Sequence, residues 1–304
     1  MPKAQQTEWN DNPKRTLRIG LFLGLVLLLV YTYFDLASYL DTGWLKDLPY
    51  PRADNVIYCL IILAAIPAAG MGLLLARQFT SSEPQRRIWL FFSFGWTCWV
   101  LGEISSFILN QIYPTLPDIT ISDLFWSAGY VFFGLSIFYQ YQLLYVRGNI
   151  YGGARQARLG FISAVGHVLL IPLIITGFLR QAGFDSQAPW ASTYLNLLYP
   201  TCDLMVGIAA LWFSFVFRRG LLGRPWLGLL IFAVSDGISG WYWIGGYKLL
   251  TPSADTNLSV LTDILYIGGY IFTALSCLSL FLLTRSKNTG QDQKTAADRA
   301  ADLK

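Results

Sequence analysis

Eight times along the chain, charged residues thin out for roughly 20 positions, the length of helix that crosses a ~30 Å hydrocarbon layer. The runs cover residues 17–38, 55–76, 88–110, 121–144, 159–179, 193–217, 225–247 and 258–284. Inside lipid, backbone groups must be satisfied within their own segment, so runs of this length specify helices and leave no soluble domain between them. A chain of 304 residues that is 54% hydrophobic and only 13% charged has too much apolar surface for one aqueous core. The expected fold is all-α: a polytopic integral membrane protein with eight transmembrane helices. The first run follows basic residues as a signal peptide would, but it is too long and lacks a small-residue cleavage site, so it reads as an uncleaved span.

One stretch occurs twice. Ser122-Asp123-Leu124-Phe125-Trp126-Ser127-Ala128-Gly129-Tyr130-Val131-Phe132, with Leu135-Ser136 after it, returns as Thr262-Asp263-Ile264-Leu265-Tyr266-Ile267-Gly268-Gly269-Tyr270-Ile271-Phe272, with Leu275-Ser276. Weaker matches extend it: Leu17-Arg18-Ile19-Gly20 with Ala157-Arg158-Leu159-Gly160, Asn55 and Tyr58 with Asn196 and Tyr199, and Arg87-Ile88-Trp89-Leu90 with Arg224-Pro225-Trp226-Leu227. The chain therefore reads as two tandem four-helix repeats. The expected organisation is a cytoplasmic tail (1–16), a first repeat (17–147), a linker (148–158), a second repeat (159–284) and a cytoplasmic tail (285–304) that reads as a short amphipathic helix, too short for an output domain. Four spans return a chain to its starting side, so the repeats are expected in the same orientation, related by a pseudo-twofold along the membrane normal.

Charge supplies the sidedness. Lys14, Arg15 and Arg18, then Arg77, Arg86 and Arg87, then Arg147, Arg155 and Arg158, then Arg218, Arg219 and Arg224, and finally Arg285 and Lys287 flank alternate connections. The other connections carry acids (Asp41, Asp47, Asp54, Asp118, Asp185, Asp255). The positive-inside rule then places both termini in the cytoplasm of a cell-membrane protein. Bases confined to helix ends do not form the interleaved patch of a nucleic-acid binder, so the expected partners are the bilayer and a separate protein. The four cysteines all fall within runs without a Cys-x-x-Cys pair, and read as small buried hydrophobes.

Ionisable residues within spans are costly and mark function by default. Asp35, Glu103, Asp123, Asp203, Asp236 and Asp263 qualify, most of them in the outer half; His167 is the deep cation, read either as a donor to a neighbouring carbonyl or as a titrating group. Trp96, Trp99, Glu103 and Ser106 recur at helical spacing, as do Phe232, Asp236, Gly240 and Trp243. Carboxylates beside aromatic faces can hold an organic cation. The candidate ligand-binding set is Glu103, Asp236, Asp123, Asp263, Asp203, Trp96, Trp99 and Trp243. Structural readings stand beside it: Asp123 and Asp263 as first-turn capping carboxylates, Glu103 and Asp236 as interhelical hydrogen-bonding groups, Asp203 as partner to backbone loosened by Pro200, and Trp243 as part of an aromatic belt. No metal spacing, phosphate loop or nucleophile elbow is present, no lysine lies deep enough for retinal, and one histidine is too few for bis-histidine haem. Neither a catalytic residue nor a cofactor is indicated.

Gly102-Glu103, then Pro117, Thr120-Ile121-Ser122-Asp123 and Gly129-Tyr130 resemble the signature of a bacterial polytopic sensor module found ahead of diguanylate cyclase, phosphodiesterase and histidine-kinase domains. There a Gly-Glu or Gly-Asp pair in one span precedes a Pro-Ser-x-Ala-Asp loop and an aromatic helix ending in Gly-Tyr. Thr120 and Ser122 depart from that loop, and the output domain is expected to be missing. The resemblance implies a membrane sensor or accessory module that binds a small ligand or cation at an outward-facing acidic and aromatic site and acts through a separate partner. A secondary carrier for a cation or amine, and a structural subunit of a membrane complex, are the alternatives.

Overall fold

The computed structural model describes residues 13–39, 52–113, 115–148, 153–181, 189–218, 220–243 and 252–301. Among them, helices follow in the order α1 (Pro13–Tyr39), α2 (Arg52–Ala76), α3 (Pro84–Ile112), α4 (Ile121–Gly148), α5 (Gly153–Gln181), α6 (Trp190–Val216), α7 (Arg224–Trp243) and α8 (Pro252–Ala301). A 3-10 turn over Leu221–Gly223 leads into α7. Eight segments are long and apolar enough to cross a membrane. The fold is all-helical, as the apolar runs require.

Local chemistry sets the helix starts. Pro13, Pro84 and Pro252 open α1, α3 and α8, where a missing N–H costs nothing and the fixed φ suits a helix. At α4 the backbone N–H and hydroxyl of Thr120 donate to Asp123 Oδ2 at 2.7 and 3.0 Å, closing a capping box. The early start of α8 corrects one expectation: Asp263 is not a first-turn residue, because the helix begins at Pro252 and Asp263 lies about three turns inside it. The tail expected to be a separate short helix is instead a continuation of α8 to Ala301.

Alpha3 packs between α2 and α4, and α7 between α6 and α8; α8 also runs along α1 and α2, and α4 along α5 and α6. Helices α1 and α5 lie at the periphery, with 11% of their apolar windows buried against 50% for α3. Their outer faces carry Phe22, Leu29, Ile162, Ile174 and Phe178, all exposed. His167 shares that outer face, and its Nδ1 lies 2.7 Å from the Ser163 carbonyl, the local partner that one of its two readings proposed.

Lipid offers no hydrophobic advantage to helix association, so packing and interhelical hydrogen bonds must hold such a bundle. Small residues let the backbones approach: Ser93 donates to the Ala69 carbonyl at 2.6 Å between α3 and α2, Ser136 to Ile88 at 2.8 Å between α4 and α3, and Ser235 to Thr262 at 2.6 Å between α7 and α8. The centre is aromatic. Trp89, Phe92, Trp96 and Trp99 form one stripe of α3, and Trp96 meets Phe133 of α4, Phe232 of α7 and Tyr270 of α8 at ring separations of 5.1, 4.9 and 5.1 Å. Such pairs contribute about 0.5–1.5 kcal/mol each beyond their buried area. The four cysteines are all free; Cys202 and Cys277 are buried, and Cys59 is exposed.

Small residues make close contacts in both helix pairs. Gly95 of α3 faces Phe133 of α4, and Gly228 of α7 faces Thr273 of α8; Gly129 of α4 faces Trp99 of α3, and Gly269 of α8 faces Phe232 of α7. Counted along the chain, Trp99 follows Gly95 at the spacing at which Phe232 follows Gly228, and so do Glu103 and Asp236. The sequence match of Trp89 with Trp226 runs one helical turn away from this spacing, and those two rings meet each other, 6.2 Å apart.

Candidate functional site

The ends of α3 and α7 and the starts of α4, α6 and α8 share one end of the bundle, opposite the end where Arg77, Arg86, Arg87, Arg218 and Arg224 lie. Towards that first end is a cavity of about 330 Å³ lined by Trp99, Asp123, Trp126, Asn196, Tyr199, Asp236, Ser239, Gly240 and Tyr266. Five helices contribute to this wall, and among the described residues no lysine or arginine does.

Each lining carboxylate is held by a tyrosine from another helix. The Tyr199 hydroxyl donates to Asp123 Oδ1 at 2.8 Å. Asp123 thus caps α4 with one oxygen and meets α6 with the other, so its structural reading holds and it also faces the cavity. The Tyr130 hydroxyl lies 3.0 Å from Asp236 Oδ2 and 2.7 Å from Asp203 Oδ1. Asp203, 2% exposed, stands behind Asp236 and does not line the cavity. Its partner is therefore a side chain of α4 and not the backbone loosened by Pro200. Pro200 packs instead on Gly240, where an added Cβ would meet the ring at 3.2 Å. Glu103, 5% exposed, likewise lies one layer back and accepts from the Tyr266 hydroxyl at 2.5 Å.

The indoles are positioned by missing side chains. A Cβ on Gly129 would meet Trp99 at 2.7 Å, and one on Gly102 would meet the Trp126 indole nitrogen. Each tryptophan packs closely against the facing helix because a glycine leaves room for it. Their rings, 6.1 Å apart, form one wall of the cavity, with Tyr199 and Tyr266 on others. Four aromatic faces and two carboxylates around a small volume form a cage that suits an ammonium group.

The expected site residues divide into groups. Trp99, Asp123 and Asp236 line the cavity, with Glu103 and Asp203 directly behind it. Trp96 is fully buried in the aromatic core and takes no part in the wall. Asp263 sits apart, beside the buried Asp35 of α1. The side chain of Trp243 lies outside the described residues. Sequence reasoning missed Trp126, Tyr199 and Tyr266 as wall residues and Tyr130 as the bridge. The signal lay in the two similar stretches of sequence: Trp126 and Tyr266 are matched positions in them, as are Tyr130 and Tyr270, and Tyr199 was matched with Tyr58. Comparison with protein-family models, with characterised proteins and with solved structures finds no match.

Proposed function

We propose that the chain is a membrane-embedded recognition module that takes a small organic cation into the Trp99/Trp126/Tyr199/Tyr266 cage and acts as a sensor through a separate protein. The observation that carries the binding reading is the cage itself: four aromatic side chains and the carboxylates Asp123 and Asp236 line about 330 Å³, with no basic side chain among the described residues of the wall to neutralise them. That volume is at the small end for ligand sites and suits a compact amine. Cation–π attraction supplies about 0.5–2 kcal/mol per well-placed ring, and more in a dry site.

Access is from outside the cell in this reading, because the cavity lies at the end away from the arginine-bearing connections. The repeated small-residue register supports two equivalent halves in one orientation, so that Glu103 and Asp236 descend from one ancestral position. The sensing role rests on the resemblance of Gly102-Glu103, Asp123 and Gly129-Tyr130 to bacterial sensor modules; both acids of that signature are at the cavity or one layer behind it.

The test is calorimetric titration of the protein in lipid nanodiscs with tetramethylammonium, phenethylammonium and butane-1,4-diammonium, beside phenethyl alcohol as neutral isostere. At least one cation is expected to bind saturably, at least tenfold weaker, or about 1.4 kcal/mol, in Asp236→Asn and in Trp126→Ala. Equal binding of the neutral isostere, or no binding of any cation, overturns the reading. The carrier alternative uses the same cavity, and accumulation of the bound cation in proteoliposomes would select it over a sensor.

A further inference from the structure

Behind the wall residue Asp236, Asp203 and Tyr130 form a second layer that the cage alone does not require. From this layer we infer that the two aspartates share a proton when the cavity is empty and release it when the cation arrives, so that recognition is a cation-for-proton exchange. The inference rests on the proposed binding function and adds its coupling.

Hydrogen counting carries it. The Tyr130 hydroxyl has one hydrogen yet lies 2.7 Å from Asp203 Oδ1 and 3.0 Å from Asp236 Oδ2. One hydrogen serves one of those contacts; the other close oxygen pair needs a hydrogen from a carboxyl. Asp203 Oδ2 is buried with no donor among the described residues directed at it, and the Asp203 and Asp236 carboxyls lie within hydrogen-bonding reach of each other. As an anion this oxygen would be an unmatched buried charge, whereas a shared proton satisfies it. Facing the pair are Tyr130 of α4, Cys202 and Tyr199 of α6, Glu103 of α3 and Tyr266 and Tyr270 of α8, with Asp123 of α4 behind Tyr199. All are acidic or neutral, so among the described residues no side chain there supplies the compensating charge.

The layering sets the order of exchange. Asp236 is in the wall and can touch a ligand; Asp203 lies behind and reaches the cavity only through Asp236 and Tyr130. A cation seated on Asp236 brings the positive charge that the proton had supplied. The proton then leaves through the cavity to solvent, no bond other than O–H is broken, and the net charge of the site is unchanged. Because binding releases a proton, affinity rises with pH, by up to about tenfold per unit.

The experiment titrates phenethylammonium chloride into nanodisc-embedded protein in buffers of different ionisation enthalpy, with infrared spectra of the empty and loaded protein alongside. Wild type is expected to release about one proton per cation, and a protonated-carboxyl band that shifts in deuterium oxide should vanish on loading. Asp203→Asn should bind with no release and lack the band; Tyr130→Phe should alter the band's frequency, and Asp35→Asn, remote from the cavity, should keep both signals. Cation binding with no proton release, or an empty protein without the band, overturns the exchange while the cage stands. Failure of the cation to bind at all, with tetramethylammonium and butane-1,4-diammonium failing too, removes the cage reading and the exchange together.

Discussion

Tyr130 of α4 and Asp203 of α6 are joined by a 2.7 Å hydrogen bond between two buried side chains 73 residues apart in sequence. This bond ties the first half of the chain to the second. Removing the hydroxyl leaves two neighbouring carboxyls without their common partner, and an unsatisfied buried polar group costs about 1–3 kcal/mol. Tyr130→Phe is therefore expected to unfold at a lower fraction of dodecyl sulfate in mixed micelles. Asp203→Asn, whose amide can still accept from Tyr130, should lose less; an equal or larger loss in Asp203→Asn would show that the bond is not what Tyr130 supplies.

Trp96 and Trp126 look alike in sequence, each in an aromatic-rich span, but only Trp126 lines the cavity. Trp96 is fully buried against Phe92, Phe133, Phe232 and Tyr270. Trp96→Ala should cost about 3–5 kcal/mol of stability, the range for deleting a buried aromatic ring. Trp126→Ala should cost less stability and lower cation affinity, measured by unfolding and by titration on the same preparations.

Glycine at position 129 is needed because Trp99 occupies the place of its Cβ, which would lie 2.7 Å from the indole. Gly134, on the same helix, has open space around it. Gly129→Ala should displace Trp99, weaken cation binding and destabilise the α3–α4 pair. Gly134→Ala should be neutral or stabilising by up to about 1 kcal/mol, since alanine loses less backbone entropy in a helix. Parallel thermal-unfolding curves of the two variants check this, and a stabilised Gly129→Ala would contradict the packing.

Sidedness can be read with single cysteines. Ser82 lies in the α2–α3 connection and Asp118 in the α3–α4 connection, both exposed, and the positive-inside rule puts them on opposite faces. In intact cells a membrane-impermeant maleimide should label Asp118→Cys and spare Ser82→Cys until the membrane is opened. The native cysteines lie within spans and should give little background. Reversed labelling would turn the cavity to the cytoplasm.

What the sequence by itself determined is the solvent and the scale. Eight long apolar runs can exist only as helices in lipid, because backbone polarity has no other outlet there. Asp123, Glu103 and Asp236 were legible too, as ionisable groups within apolar runs that lipid does not tolerate without reason. What only the tertiary structure decided is which acids meet. Helical periodicity gives each side chain a direction on its own helix but not the neighbour it faces, because that depends on the register of close contacts such as Gly129 on Trp99 and Gly269 on Phe232. That register turns Trp96 into core and Trp99 into cavity wall, sends Asp263 to Asp35, and brings Tyr130 between Asp203 and Asp236.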